Sequence, residues 1–325
     1  MGQNLSLYHK ADKMTTKFKN LQTLLDFFKD EETCKAYYEQ ARWGGNVACP
    51  HCGSLKIYRT NRGYKCGEKE CAKKFSLTVG TIFENSKIPL RTWFAAMYLC
   101  TTSKKGISSV QLSEQLGITQ KTAWFVLSRI RTMLNDNADT NEQLSGMVEV
   151  DETYIGGKEK NKSKAKRAAN KANKHLNPIA NKTAVVGLLQ RGGKVRLLPM
   201  VHADKATLLP ILKKNINKEA VVVTDGLRAY QKLGNEYKLH VVVNHQKDEW
   251  VNGEYSTNNI EGFWSILKRG IYGIYHSVST KHLHRYCNEF GYRYDTRELT
   301  GIERFESAVK RVNGVRITYN TLIGK

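Results

Sequence analysis

The chain has 325 residues, 40% of them hydrophobic, which is enough apolar material for packed cores and enough length for two or three domains. Lys and Arg number 52 against 30 Asp and Glu, a formal charge of +22 with a pI near 9.6. An excess of that size repels itself unless it meets a polyanion, so nucleic acid is the expected partner and a merely basic or ribosome-bound protein the plainer reading. No window approaches 18 consecutive apolar residues, which excludes a membrane-spanning helix.

Residues 1–20 carry lysines without the apolar run of a secretory signal, so the expected compartment is the cytoplasm and the nucleoid within it. Met14 offers a second start, with residues 1–13 then an upstream extension. Residues 17–45 read as a helical lead-in, with Leu21, Leu24, Leu25, Phe28 and Tyr37 at helical spacing.

Residues 46–85 change texture to Cys, Gly and Lys. Cys49-Pro50-His51-Cys52, followed by Cys66 and Cys71, gives C-x2-C-x13-C-x4-C. Seven cysteines without an export signal argue against a disulfide framework, and this spacing suits a four-thiolate zinc ribbon holding one structural Zn2+. Gly53 is expected to free the first knuckle, with Ile57, Tyr58 and Tyr64 forming a small hairpin. His51 reads as a knuckle residue rather than a fifth ligand. Cys34, Cys100 and Cys287 read as ordinary buried thiols. Whether such a ribbon grips nucleic acid, grips protein or braces its neighbours stays open.

Residues 89–136 are strongly helical. Within them, Ser108 and Gln111 suit a capping box, Leu112 and Leu116 an inner stripe, and Gly117 a helix end. Thr119 then caps a second helix whose stripe is Ala123, Leu127, Ile130 and Leu134. This is the layout of a helix-turn-helix, which would turn Gln120, Lys121 and Thr122 toward DNA; the alternative is an ordinary helical hairpin.

From residue 147 to 297, strand-like and helical runs alternate, which predicts an α/β domain. Residues 156–182, with nine Lys or Arg and one Glu, read as a basic loop inside it, and residues 298–325 as a C-terminal tail. Two β-branched runs end in acids: Met147-Val148-Glu149-Val150-Asp151 and Val221-Val222-Val223-Thr224-Asp225. Carboxylates at neighbouring strand ends can share hard cations such as Mg2+ or Mn2+, and two such ions can drive phosphodiester chemistry.

A helix from about Asn258 to Ile271 would set Glu261, Ser265 and Lys268 on one face and Ile260, Phe263, Leu267 and Ile271 against the sheet. Lys268 would then reach a DNA phosphate, with Arg269 beside it. Asn258-x-x-Glu261 also fits a capping box, so Glu261 is either a metal ligand or a helix cap. Glu152 should point to the opposite face from Asp151, and Glu149 lies deeper along the strand.

The ribbon CPHCGS…YKC, the stretches FSLTVGTIFENSKIPLRTWF, VEVDETYIGGK and VVTDGLRAY, and the long STNNIEGFWSILKRGIYGIYHSVSTKHLHRYCNEFGYRYDTR resemble the ISXO-type insertion-sequence transposases, relatives of the Merlin elements. The resemblance runs from about Phe18 to Arg297. It implies a ribonuclease-H-like, retroviral-integrase-like catalytic core preceded by a zinc ribbon and a helix-turn-helix. It also implies a DDE site of Asp151, Asp225 and Glu261 holding two Mg2+ (or Mn2+) ions.

Thirty-five residues separate Asp225 from Glu261, a spacing similar to that of retroviral integrases. Some relatives use Asn at the third position, so a share for Asn258 stays open. The implied chemistry is attack of water on the phosphodiester at the terminal inverted repeats, then attack of the freed 3′-hydroxyl on target DNA. His202, His240, His245 and His276 would either position phosphates or simply pack. Holding two element ends together implies a homodimer or higher oligomer on DNA. The competing readings are a non-catalytic DNA-binding regulator, and a nuclease on the same core that cuts without joining.

Overall fold

The computed structural model describes residues 18–135, 142–157, 162–172, 182–200, 204–226, 230, 233, 236–243 and 251–323. The chain divides into two units, one formed by Met1–Thr102 with Leu299–Arg316, the other by Ser103–Glu298 with Ile317–Lys325.

In the first unit, helices α1 (Leu21–Phe27) and α2 (Glu31–Trp43) start on Asn20 and Asp30, whose side chains accept from the backbone N–H of Thr23 and Thr33. Three short antiparallel strands follow, β1 (Ile57–Thr60), β2 (Gly63–Cys66) and β3 (Lys74–Phe75), so the expected hairpin gains a third strand. Helix α3 (Leu90–Thr102) is apolar almost all round. It packs into an aromatic cluster in which Phe28, Tyr37 and Phe94 meet Phe305 with ring centroids 5.7–6.4 Å apart.

Phe305 comes from the segment expected as a C-terminal tail. That segment forms a helix, Gly301–Lys310, started by a Thr300/Glu303 capping box. The residues expected as one helical domain at 89–136 are likewise divided between the units after Thr102.

The second unit opens with α4 (Ser109–Leu116) and α5 (Gln120–Met133). The turn between them is built as its sequence dictates: Ser108 accepts from Gln111 N, Gly117 closes α4 at φ +63°, and Thr119 accepts from Thr122 N. Ala123, Leu127, Ile130 and Leu134 are buried as the stripe predicts.

A five-stranded sheet follows, made of β4 (Met147–Ile155), β5 (Thr183–Gln190), β6 (Val195–Met200), β7 (Val221–Asp225) and β8 (Leu239–Val243), in the order β6-β5-β4-β7-β8. Strands β4, β5 and β6 pair antiparallel, whereas β7 and β8 run parallel to β4. Part of the segment read as a basic loop is helical, α6 (Lys164–Ala172); residues 158–161 and 173–181 of it lie outside the described residues.

The sheet is covered on both faces. Val148, Val150, Val186, Leu188 and Val222 pack with Leu208 and Leu212 of α7 (Lys205–Asn215). On the other face, Val185, Leu189 and Leu197 meet α8 (Asn258–Gly270) and α9 (Thr280–Asp295) through Ile260, Phe263, Trp264, Leu267 and Phe290. A π-helical turn, Ile271–Tyr275, follows α8.

Close approach of α8 depends on one missing side chain. A Cβ on Gly187 of β5 would stand 2.6 Å from the Trp264 ring and 2.7 Å from Ile260 Cδ1. The Gly187→Ala variant must push α8 off the sheet. We expect it to unfold at lower urea with an unchanged slope, losing roughly 1–3 kcal/mol, the usual cost of overpacking. An unaltered midpoint would mean that α8 is not seated on Gly187.

Candidate metal and catalytic centre

The acids on β4 follow the pleat. Val148 and Val150 face α7, and Glu149 and Asp151 face α8, as a period of two requires. Asp151 lies opposite Gly187 on β5, so the indole that fills the space over Gly187 also meets the carboxylate: Trp264 Nε1 donates to Asp151 Oδ2 at 2.8 Å. The other oxygen accepts from Glu152 N at 2.8 Å. Val150 pairs with Thr224 across parallel strands, so Asp151 and Asp225 each follow the last residue of the β4–β7 pairing; Asp225 ends β7, whereas Asp151 lies mid-strand, because β4 continues to Ile155 beside β5.

Burial first, and then the charges of Asp225 and Glu261, push the Asp151 carboxyl up to about 6, against the Trp264 and Glu152 hydrogen bonds that favour its ionised form. Glu152 points to the opposite face, where Tyr230 Oη donates to its Oε2 at 2.9 Å. Even so, burial and the nearby Asp225 charge push Glu152 up to about 7.

Glu261 is half-buried on the first turn of α8. The N-cap of that helix is Thr257 rather than Asn258, and the Thr257 hydroxyl donates to Glu261 Oε1 at 2.9 Å. The N–H groups of Asn259 and Ile260 go instead to Glu149 Oε2, both at 3.0 Å. Asn258 is exposed, whereas the Asn259 amide donates to Glu149 Oε1 at 2.7 Å.

Beyond Glu261, Ser265, Lys268 and Arg269 are exposed while Ile260, Phe263, Leu267 and Ile271 are buried, matching the predicted faces. Gln120 and Lys121 are exposed at the start of α5; the Gln120 amide donates to Ser109 Oγ at 2.8 Å, and the Thr122 hydroxyl lies 2.9 Å from that of Thr119. His240, paired with Val222 on β7, has its Nε2 2.9 Å from Thr224 Oγ1, with burial lowering its basicity. His276 is exposed; His202 and His245 lie outside the described residues.

Five participants escaped the sequence reading: Gly187, Trp264, Tyr230, Thr257 and Arg191, whose guanidinium donates to Glu149 Oε1 at 3.0 Å. All but Thr257 matter through strand register or helix docking, which no local pattern carries.

The carboxylates suit a hard divalent cation. They are oxygen donors of like charge whose burial, and then whose crowding, already suppresses ionisation, and a cation would relieve the crowding. An acid with a raised value stabilises the fold below its ordinary range and loses that contribution as the pH rises, here through about 6. Metal-free protein at about pH 8 therefore bears the full repulsion. Asp151→Asn should raise its thermal midpoint there, by the equivalent of roughly 1–2 kcal/mol, and the gain should shrink as the pH falls and vanish only below about pH 4. Equal midpoints of variant and parent at both pH values would show that the Asp151 carboxyl is not held above its ordinary range.

The cysteines form a different centre. Cys49 and Cys71 sulfurs lie 3.8 Å apart, Cys52 and Cys66 3.6 Å, and all four ligand atoms lie within 4.8 Å of one another. A zinc ion with Zn–S near 2.3 Å implies sulfur–sulfur edges of about 3.8 Å, so the cluster has the size zinc needs. Gly53 at φ +76° turns the first knuckle, and its N–H donates to Cys49 O at 2.9 Å. His51 is exposed and outside the cluster, and Cys34, Cys100 and Cys287 are buried elsewhere.

The core beneath is small, essentially Tyr64 and Phe75 with Trp43, so the metal would supply much of its folding energy. Cys52→Ser should lower the zinc content measured on purified protein and unfold the ribbon. Unchanged zinc content would sink the assignment.

Among the described residues no helix is long and apolar enough to cross a membrane. A model of the ISXO2-like transposase domain matches residues 143–295, and a model of the transposase zinc-ribbon domain matches residues 29–74. The chain is 28% identical to a Halobacterium salinarum protein described as an uncharacterized protein in transposable element ISH50, over 87% of this chain and 97% of that one. A Haemophilus influenzae protein described as an uncharacterized transposase-like protein is 28% identical over 33% of this chain and 85% of its own length.

Among solved structures, the Mos1 strand transfer complex and a pre-cleavage Mos1 transpososome are 14% and 13% identical, each covering 72% of this chain and 82% of the other. Their TM-scores of 0.22 and 0.19 are too low for any conclusion about fold. With the two models matched in chain order, the chain carries a transposase zinc-ribbon domain followed by an ISXO2-like transposase domain.

Proposed function

We propose that this chain is a DDE transposase that cleaves DNA at the terminal inverted repeats of its element and joins the 3′-hydroxyl ends to target DNA. On this reading Asp151, Asp225 and Glu261 hold two Mg2+ or Mn2+ ions. The observation that carries it is the placement of Asp151 and Asp225 directly after the last paired residues of the parallel strands β4 and β7, with Asp151 hydrogen-bonded to Trp264 of α8, the helix whose first turn bears Glu261. A ribonuclease-H-like core is supported by the strand order β6-β5-β4-β7-β8, with three antiparallel strands, two parallel ones and helices on both faces.

Two such ions, when bound, activate the attacking oxygen and stabilise the departing one. The chain's own residues set the stage. The Trp264 indole and the Glu152 N–H fix the Asp151 carboxylate in one orientation, with lone pairs to spare. The Thr257 hydroxyl does the same for Glu261. Lys268 and Arg269, exposed farther along α8, contact DNA phosphates.

Helices α4 and α5 act as a helix-turn-helix, with Gln120 and Lys121 reading the major groove; Thr122 serves mainly as part of the cap. One structural Zn2+ is held by Cys49, Cys52, Cys66 and Cys71, and the protein acts on DNA as a homodimer or higher oligomer. The corresponding domains are a lead-in at 17–45, a ribbon at 46–85, the DNA-reading helices within 89–136 and a catalytic domain at 147–297.

Incubating the protein with Mg2+ or Mn2+ and DNA bearing the element's terminal repeats should give nicked ends and then joined product. Cleavage without joining would leave a nuclease, and no cleavage a DNA-binding regulator. Asp225→Asn should lower cleavage by about a thousandfold or more while DNA affinity stays within a few-fold. Cleavage by that variant at the parent's rate would overturn the site.

A further inference from the structure

We infer that Glu149 is the positioning residue of the carboxylate site, holding the start of α8, and with it Glu261, against the strand that carries Asp151. The inference rests on reading Asp151, Asp225 and Glu261 as metal ligands.

Glu149 precedes Asp151 by two residues, so both leave the same face of β4, but Glu149 is fully buried. A carboxylate without solvent persists only where donors surround it. Five hydrogen bonds reach this one. Its Oε1 accepts from Arg191 Nε at 3.2 Å, Arg191 Nη2 at 3.0 Å and Asn259 Nδ2 at 2.7 Å. Its Oε2 accepts from the N–H groups of Asn259 and Ile260 at 3.0 Å each.

Those two N–H groups belong to the first turn of α8, where the helix itself offers no acceptor and the dipole favours a negative charge. The N-cap side chain offers none either, because Thr257 makes no capping bond with its side chain. Glu149 and the helix start therefore satisfy each other. A slide or rotation of α8 would strand the buried Glu149 side chain and the buried Ile260 N–H at once and break the Asn259 bonds with them.

Arg191 extends the clamp backward along the chain. Its Nη1 donates to Glu254 O at 2.8 Å and its Nη2 to Ser256 O at 3.2 Å, so the segment entering α8 is held by the same guanidinium. Arg191 is fixed in turn by its own N–H, which donates to Met147 O at 2.9 Å. Glu261 follows Ile260 directly, so its backbone position is set by Glu149, while Thr257 orients its side chain. Glu149 touches no reacting atom; it acts through Glu261.

The test uses the full-length, zinc-loaded protein, with Mn2+ affinity measured by calorimetry and by the metal-dependent rise in thermal midpoint. Glu149→Leu keeps the volume and removes both acceptors, whereas Glu149→Gln keeps one acceptor oxygen. Arg191→Gln lies at a partly exposed position and leaves Glu149 in place. Glu149→Leu and Arg191→Gln should each weaken Mn2+ binding and slow cleavage by roughly 10- to 100-fold, the usual consequence of removing a group that orients a metal ligand. Glu149→Gln should recover part of both losses, and terminal-repeat DNA affinity and zinc content should stay within about threefold.

Asp151→Asn is measured alongside. If it binds Mn2+ like the parent, the metal-site reading itself fails. If it loses Mn2+ while folded Glu149→Leu binds within threefold of the parent, the positioning role is overturned. Should Glu149→Leu not fold, Arg191→Gln decides by the same criterion.

Discussion

Asp151 and Asp225 directly follow the last paired residues of the adjacent parallel strands β4 and β7 and repel each other, and the arrangement of the second unit is organised around tolerating that repulsion. Nothing in β-sheet energetics favours Asp151 beside Asp225; like charges on neighbouring strands destabilise a pair. The surroundings compensate with cores on both faces of the sheet, an indole hydrogen bond to Asp151 and a tyrosine hydroxyl to Glu152. Each neighbour that lowers the cost also orients a carboxylate, so the contacts that make the site tolerable also make it precise.

What the sequence made legible follows from the range of each signal. Helix starts and ends are local, and Ser108, Gly117 and Thr119 behave as their types dictate. The strand-end reading holds for Asp225, which closes β7, but not for Asp151: β4 runs on to Ile155, and only its pairing with β7 stops before Asp151. The phase of α8 could be read from its own apolar spacing. By contrast, Gly187 looks like an ordinary glycine in an apolar run, and only its register opposite Asp151 shows that it admits Trp264.

Alternation correctly sets Glu152 on the far face, but face alone does not decide electrostatics. Where the β4–β7 pairing stops, side chains of both faces lie near the last residue of β7, and Asp225 acts on Glu152 as well as on Asp151. The helix at Gly301–Lys310 did carry a local signal, the Thr300/Glu303 box, but its role depends on Phe305 meeting aromatics some 200 residues or more earlier in the chain.

A second buried charge cluster links α5 to the helices that cover the five-stranded sheet. Glu289 of α9 accepts from Arg131 of α5 and from Arg293, and takes the Tyr275 hydroxyl of the π-helical turn at 2.6 Å. Burial alone would raise its value, but the two guanidinium groups outweigh that and hold it below the ordinary range. Breaking such a cluster leaves uncompensated charge inside the protein, which is far costlier than losing a surface pair. Helix α5 is therefore not an appendage free to swing. Whatever its exposed N-terminal residues bind is registered, through Arg131 and Glu289, against the turn that continues α8.

The two candidate metal centres differ in a way that their chemistry requires. Four cysteine sulfurs lie within 4.8 Å of one another, a closed set that leaves no vacancy, as suits a structural ion. Among the described residues the acids form no such closed set. On the proposed reading this openness is functional, because Mg2+ keeps several waters and takes oxygens from its phosphate substrate. A site closed by protein ligands alone would hold metal well and DNA poorly. The rigid elements here, β4, β7 and α8, fix where the carboxylates start, and the coordination they leave incomplete is the part a scissile phosphate would supply.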